Sequence, residues 1–188
     1  MKLQFRSANP PTERSPTPAE HATYLAYLRR LQTGDNAAWE QFVAEWSPYL
    51  YNYVRANLRG ADGVEDVLSD TLLGVVEGIR NFDGNAALST FVYTIAYHKI
   101  VDYWRRPHVT IELSDELSTT DSTLSFEIYE TVAELPDDAR QALLLRYYAG
   151  LSVSEVATVL DRSYKGTESL LSRARHQFQN AFRERSEA

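Results

Sequence analysis

Apolar residues recur every three or four positions along most of this chain, and the interruptions fall at proline, glycine and aspartate. Leu135 to Phe178 carries the pattern most plainly and predicts three helices. Pro136 suits a first helical position, and Asp137 and Asp138 follow where the helix dipole favours anions. Gly150 stands just past Tyr147, Tyr148 and Ala149, the place of a left-handed C-cap. Ser152 and Glu155 form an S-x-x-E capping box that opens a short helix through Val156, Ala157 and Leu160. Asp161 and Arg162 make a tight turn, and Ser163 caps a longer helix.

That longer helix has two faces. Thr167, Leu171, Ala174, Phe178 and Phe182 recur on one side and should pack inward, while Lys165, Ser169, Ser172 and His176 fall opposite, flanked by Arg173 and Arg175. Ser163 to Arg185 holds five Lys/Arg against Glu168 and Glu184, a local excess of positive charge in a chain whose net charge is −7. A short helix, a tight turn and a basic second helix are the parts of a helix-turn-helix, whose second helix enters the DNA major groove. Charge alone favours a plain helical hairpin with a solvated basic face; the three capping signals at this spacing, together with the reversal in the sign of the charge, favour DNA.

The first half reads helical from about Ala22 to Pro107. Tyr24, Leu25, Leu28 and Leu31 make a short amphipathic helix ending near Gly34. Trp39, Phe42, Val43, Trp46, Leu50, Tyr53 and Val54 continue the period, with an interruption expected at Ser47-Pro48 and a stop at Gly60. Val64, Val67, Leu68, Thr71, Leu72, Val75 and Ile79 define the inner side of a third helix. Its other side carries Asp66, Asp70, Leu73 and Glu77, which fits docking on a basic partner helix or simple solvation. Asn81 to Leu88 is a loop. The fourth helix, Leu88 to Arg106, should bury Leu88, Val92, Ile95, Ala96 and Tyr103 and show Phe91, Thr94, Tyr97, His98, Val101 and Arg105, with Tyr93 and Trp104 beside them. Aromatics interleaved with hydrogen bonders and Arg suit unstacked bases, although each ring alone is more often core.

Composition changes this picture little. Residues 1–21, with four of the seven prolines in the first twenty, read as a tail without a core. Residues 107–122 hold four acids and no Lys or Arg, and read as a flexible acidic linker whose sixteen residues span roughly 50 Å when extended. The negative total is therefore no argument against nucleic acid, because local stripes decide. The absence of cysteine excludes disulfides, thiolate metal sites and thiol nucleophiles. The four histidines are scattered without metal-like spacing, and no nucleophile or phosphate-loop motif occurs, so catalytic residues, metal and cofactor are all expected to be absent. No apolar run approaches the roughly 20 residues of a membrane span, and the N-terminus lacks a signal-peptide core. A cytoplasmic location is expected.

The order of an acidic helix, an FDG loop, an aromatic helix ending in DYWRR, a linker and a helix-turn-helix resembles the extracytoplasmic-function (ECF) sigma factors of bacterial RNA polymerase. The stretch 65–84 resembles their region 2.1–2.2, 89–106 their promoter-melting and minus-ten-reading regions, and 134–175 their region 4. The resemblance implies an all-α chain of two small helical domains, 22–106 and 123–188, that directs core polymerase to promoters and aids melting. It implies that Asp66, Asp70, Leu73 and Glu77 dock on the clamp helices of the polymerase, whose flap is a second contact, and that the loop from Asn81 through Phe82 and Asn85 pockets a flipped base. Phe91, Tyr93, Thr94, Tyr97, His98 and Arg105 would hold the separated strand. Lys165, Thr167, Glu168, Ser169, Ser172, Arg173 and His176 would approach the minus-35 element. An anti-sigma factor is an implied further partner. Asn85-Ala86-Ala87, Phe91, Thr94, Tyr97 and His98 depart from the family's usual residues, which points to a different minus-ten sequence. A free-standing helix-turn-helix regulator is the alternative, and a helical adaptor a second; the acidic row and the aromatic helix weigh against the former, the basic helix against the latter.

Overall fold

Asp35 starts a 23-residue helix by accepting the Ala38 amide at 2.9 Å, while Arg30 pairs with the same carboxylate. The computed structural model describes residues 18–59, 62–106 and 126–187. In order these form α1 (Pro18–Gln32), α2 (Asn36–Leu58), α3 (Val64–Gly78) with a 3-10 turn (Ile79–Asn81), and α4 (Leu88–Arg105). The carboxyl half adds α5 (Phe126–Glu134), α6 (Asp137–Leu143) running into a π-helical turn (Leu144–Tyr148), α7 (Val153–Val159) and α8 (Tyr164–Ser186). No strand occurs among the described residues. Helix α1 begins at Pro18, inside the stretch assigned to the tail; the remainder of that tail, Gly60 and the linker 107–122 lie outside the described residues.

Pro48 does not interrupt α2. An interior proline costs roughly 3 kcal/mol through its lost hydrogen bond and ring clash. Phe42, Trp46, Leu50, Tyr53 and Val54 are all buried on one side of the continuous helix, and each large apolar side chain so buried contributes about 1.5–3 kcal/mol. The stripe therefore outweighs the break. Val43 and Leu25, expected inside, are exposed at the edge of their faces.

Helix α3 lies against α4, and the contact is close because α3 offers glycine. A Cβ on Gly74 would sit 2.9 Å from Cγ2 of Ile95, and one on Gly78 would sit 2.9 Å from Cζ of Phe91. The carboxyl half is closed by α8, whose Thr167, Leu170, Leu171, Ala174 and Phe178 pack on α6 and α7. Gly150 adopts φ 72° after the π turn, with the Leu151 amide reaching back to the Leu145 carbonyl at 3.0 Å.

The halves do not stand apart. Helix α7 lies on α4, and α5 and α6 lie on α2, so the buried residues of both halves form one cluster. The tyrosines account for this. Tyr53 donates to Oε1 of Gln141 at 2.7 Å, Tyr148 to the Tyr49 carbonyl at 3.2 Å and Tyr129 to the Arg55 carbonyl at 3.2 Å. Each ring is apolar enough to be covered and each hydroxyl finds an acceptor across the seam.

Candidate polymerase and nucleic-acid interfaces

The acidic row stands on the outer side of α3. Inward-facing Val64, Val67, Thr71 and Val75 fix the helix's rotation, which leaves Asp66 and Glu77 exposed and Leu73 57% exposed. Asp70 is half-buried and meets Arg106 at 4.0 Å, a surface pair that holds it loosely. Val76, 39% exposed and three residues beyond Leu73, enlarges the apolar spot. Sequence reasoning missed it, although i+3 spacing from Leu73 was the available signal. An apolar pair ringed by carboxylates is a surface for a partner that offers both hydrophobic contact and positive charge.

The loop after α3 is braced from two directions. Gln32 of α1 donates through Nε2 to the carbonyls of Ile79 and Phe82 at 3.2 and 2.8 Å. Asn85 donates from its backbone amide and its Nδ2 to the two oxygens of Asp83, at 2.9 and 2.6 Å. Asn81 is exposed, and Phe82 is half-buried with its ring 4.8 Å from that of Phe91. Gln32 is the second residue that the sequence did not disclose; its neighbours in α1 read only as core.

On α4 the predicted strand-binding residues divide. His98 and Arg105 are exposed, with Arg105 3.8 Å from Asp102. Phe91, Thr94 and Tyr97 are half-buried; the Thr94 hydroxyl is spent on the Thr90 carbonyl at 2.7 Å. Tyr93 is a correction. It is fully buried, with its ring 5.0 Å from Tyr53 and 6.2 Å from Trp46, and so belongs to the core of this arrangement instead of a strand-binding face. Burial, reinforced by the Tyr148, Tyr53 and Tyr49 hydroxyls, pushes its pKa well above the ordinary tyrosine range.

The helix-turn-helix has the predicted joints. Ser152 accepts the Glu155 amide and Glu155 answers at the Ser152 amide, closing the capping box. Asp161 takes φ 50° in the turn, and Ser163 accepts the Gly166 amide at 3.1 Å. Lys165, Glu168, Ser169, Ser172, Arg173 and His176 are all exposed along one side of α8. Thr167 is the second correction: it is fully buried, its hydroxyl donating to the Ser163 carbonyl at 3.1 Å, and it faces the α6–α7 side. Glu155 also accepts the Thr90 hydroxyl of α4 at 2.9 Å, so one carboxylate caps α7 and ties it to the first half. Burial opposes its ionisation, but the Ser152 side chain and amide, the Thr90 hydroxyl and the Arg146 charge together hold its pKa below the ordinary value of 4.5. Among the described residues no cluster of His, Asp and Glu is arranged to hold a metal ion.

Two family models match this layout: Sigma-70 region 2 over residues 42–108, and Sigma-70, region 4 over residues 125–177. The chain belongs to the ECF sigma factors of bacterial RNA polymerase. The RNA polymerase sigma-H factor of Pseudomonas aeruginosa is 29% identical over 175 residues, covering 82% of this chain and 91% of that one. The ECF RNA polymerase sigma-E factor of Haemophilus influenzae is 27% identical over 187 residues, covering 86% and 96%. Among solved structures, CnrH in complex with the cytosolic domain of CnrY aligns with a TM-score of 0.63 at 22% identity, covering 82% of this chain and 94% of that chain. RpoE from Bartonella quintana, bound to the anti-sigma factor NepR, aligns at 0.62 and 20%, covering 77% and 96%. These two share its fold.

As an ECF sigma factor, the chain directs core RNA polymerase to specific promoters and assists their melting. A free-standing regulator is not favoured, since the region 2 match accounts for the half that such a regulator does not need. Members of this family are transcription initiation factors. No described helix is long and apolar enough to cross a membrane.

Proposed function

We propose that the work of initiation is divided between three surfaces of this chain. Asp66, Asp70, Leu73 and Glu77, joined by Val76, seat the chain on the polymerase clamp. The Gln32-braced loop from Asn81 through Phe82 and Asn85 receives a flipped minus-ten base, with Phe91, Thr94, Tyr97, His98 and Arg105 along the melted strand. Stacking on such rings contributes about 1–3 kcal/mol per base. Lys165, Glu168, Ser169, Ser172, Arg173 and His176 meet the minus-35 duplex. The linker 107–122 ties the two DNA-binding ends together, and attachment at both raises effective affinity without new contacts. The chain performs no chemistry of its own and works in the cytoplasm. A partner like NepR, an anti-sigma factor bound to the RpoE relative, is proposed for it as well.

The observation that carries this reading is that one chain exposes both an acidic row with an apolar centre on α3 and a basic helix on α8. Charge reversal of Asp66 and Asp70 to Arg, with Leu73→Ala, should abolish co-migration with core polymerase while leaving the helical circular dichroism signal unchanged. Retained binding would remove the clamp-docking role.

A further inference from the structure

Glu168 is out of place on a helix face that meets DNA. It stands in the second turn of α8, exposed, between Lys165 and the Ser172–Arg173 pair. Lys165, three residues earlier, is positioned to neutralise it, yet Glu168 has no ion-pair partner among the described residues. The inward stripe of Thr167, Leu170, Leu171 and Ala174 fixes the helix rotation, so Glu168 cannot turn away from the side it shares with Lys165 and Ser172.

A free carboxylate there is repelled by every phosphate it nears. What the duplex itself can offer it is a hydrogen-bond donor on a base edge. The major groove offers two such groups, the cytosine N4 amine and the adenine N6 amine. Adenine sets its N7 acceptor beside the amine, opposing the second carboxylate oxygen, whereas the atom beside the cytosine amine is a carbon. Ser169 and Ser172, the nearest exposed neighbours on that side, are short and let a base edge approach.

Resting on the assignment of α8 to the minus-35 duplex, we infer that Glu168 is a specificity-determining residue that reads one cytosine of that element by accepting from its N4 amine. Lys165 and Arg173 supply attraction to DNA of any sequence; Glu168 withdraws part of it wherever the cytosine is missing. Discrimination comes as much from the penalty at wrong sites as from the bond at the right one.

The test is selection from promoter DNA randomised across the minus-35 element, using core polymerase with the full-length chain, Glu168→Ala or Glu168→Gln. The unaltered chain should prefer cytosine at one position by about tenfold, the scale of a single good base contact. Glu168→Ala should flatten that position alone, keep the others, and bind random duplex more tightly. Glu168→Gln should move the preference towards adenine, because an amide matches the adenine N6/N7 pair. Preferences at the other positions report that each variant is folded. A profile unchanged by both variants overturns the inference while α8 remains the reading helix. Absence of any minus-35 preference in the unaltered chain overturns both.

Discussion

Thr167 and Lys165 lie two residues apart on α8 and do different work. Thr167 is enclosed and bonded to the Ser163 carbonyl, whereas Lys165 is exposed beside the helix start. Lys165→Ala should weaken promoter binding uniformly across sequences and reduce the slope of log affinity against log salt by about one. Thr167→Ala should leave that slope alone and lower stability by about 1 kcal/mol, the worth of a typical hydrogen bond. Salt titrations of duplex binding together with denaturant melts separate the two; equal slopes for Lys165→Ala and the unaltered chain would remove its phosphate contact. This is also where resemblance and periodicity part. Thr167 belongs to the inward stripe by spacing, and only its position within a resembling motif put it among the DNA contacts. Tyr93 fails similarly: an aromatic residue on a helix flank is more often core than a stacking platform, and whether a second helical layer covers it is a tertiary fact.

Among elements, the α3–α4 contact is the most sensitive to a single methyl group. Alanine in place of a helical glycine gains about 1 kcal/mol of propensity, while overpacking a close contact costs about 1–3 kcal/mol. At Gly74 the obstacle is the branched Ile95 side chain, which is stiff at its first torsion. At Gly78 it is the far end of the Phe91 ring, which is only half-buried. Gly74→Ala should therefore be net destabilising and Gly78→Ala close to neutral, as thermal melts of the two variants will report; the reverse order would contradict the packing. Helix-level features were the most legible part of the sequence. The capping box at Ser152, the Ser163 cap, the left-handed Gly150 and the inward stripes of α3 and α8 all follow from local rules. Pro48 was misjudged because its penalty is local while the burial that offsets it is spread over five residues of α2.

The whole molecule is joined by a seam that composition alone does not disclose. Tyr53, Tyr129 and Tyr148 each bond across it, while the Tyr93 hydroxyl and Nε2 of Gln141 have no hydrogen-bond partner among the described residues. Glu155 adds a titratable tie. Its folded pKa lies below 4.5, so the stability it contributes is fully present above that value and is lost as pH falls further through the folded pKa. Thr90→Val removes one of the groups that favour the ionised form and should reduce this acid-dependent loss. Urea melts at neutral pH and below 4.5 measure it, and an identical loss in the variant would show that the Thr90 hydroxyl plays no part. Local patterning predicts the helices of both halves but not their contact, because nothing in the spacing of Thr90, Gln141 or Tyr148 marks a bond to the other half.

This chain places core RNA polymerase on promoters. Transcription in vitro from a fragmented genomic library, with purified core enzyme in the presence and absence of the chain, tests it most directly. Start sites that appear only with the chain and share upstream elements at fixed spacing are the predicted result. Start-site maps that are the same with and without it would contradict the account.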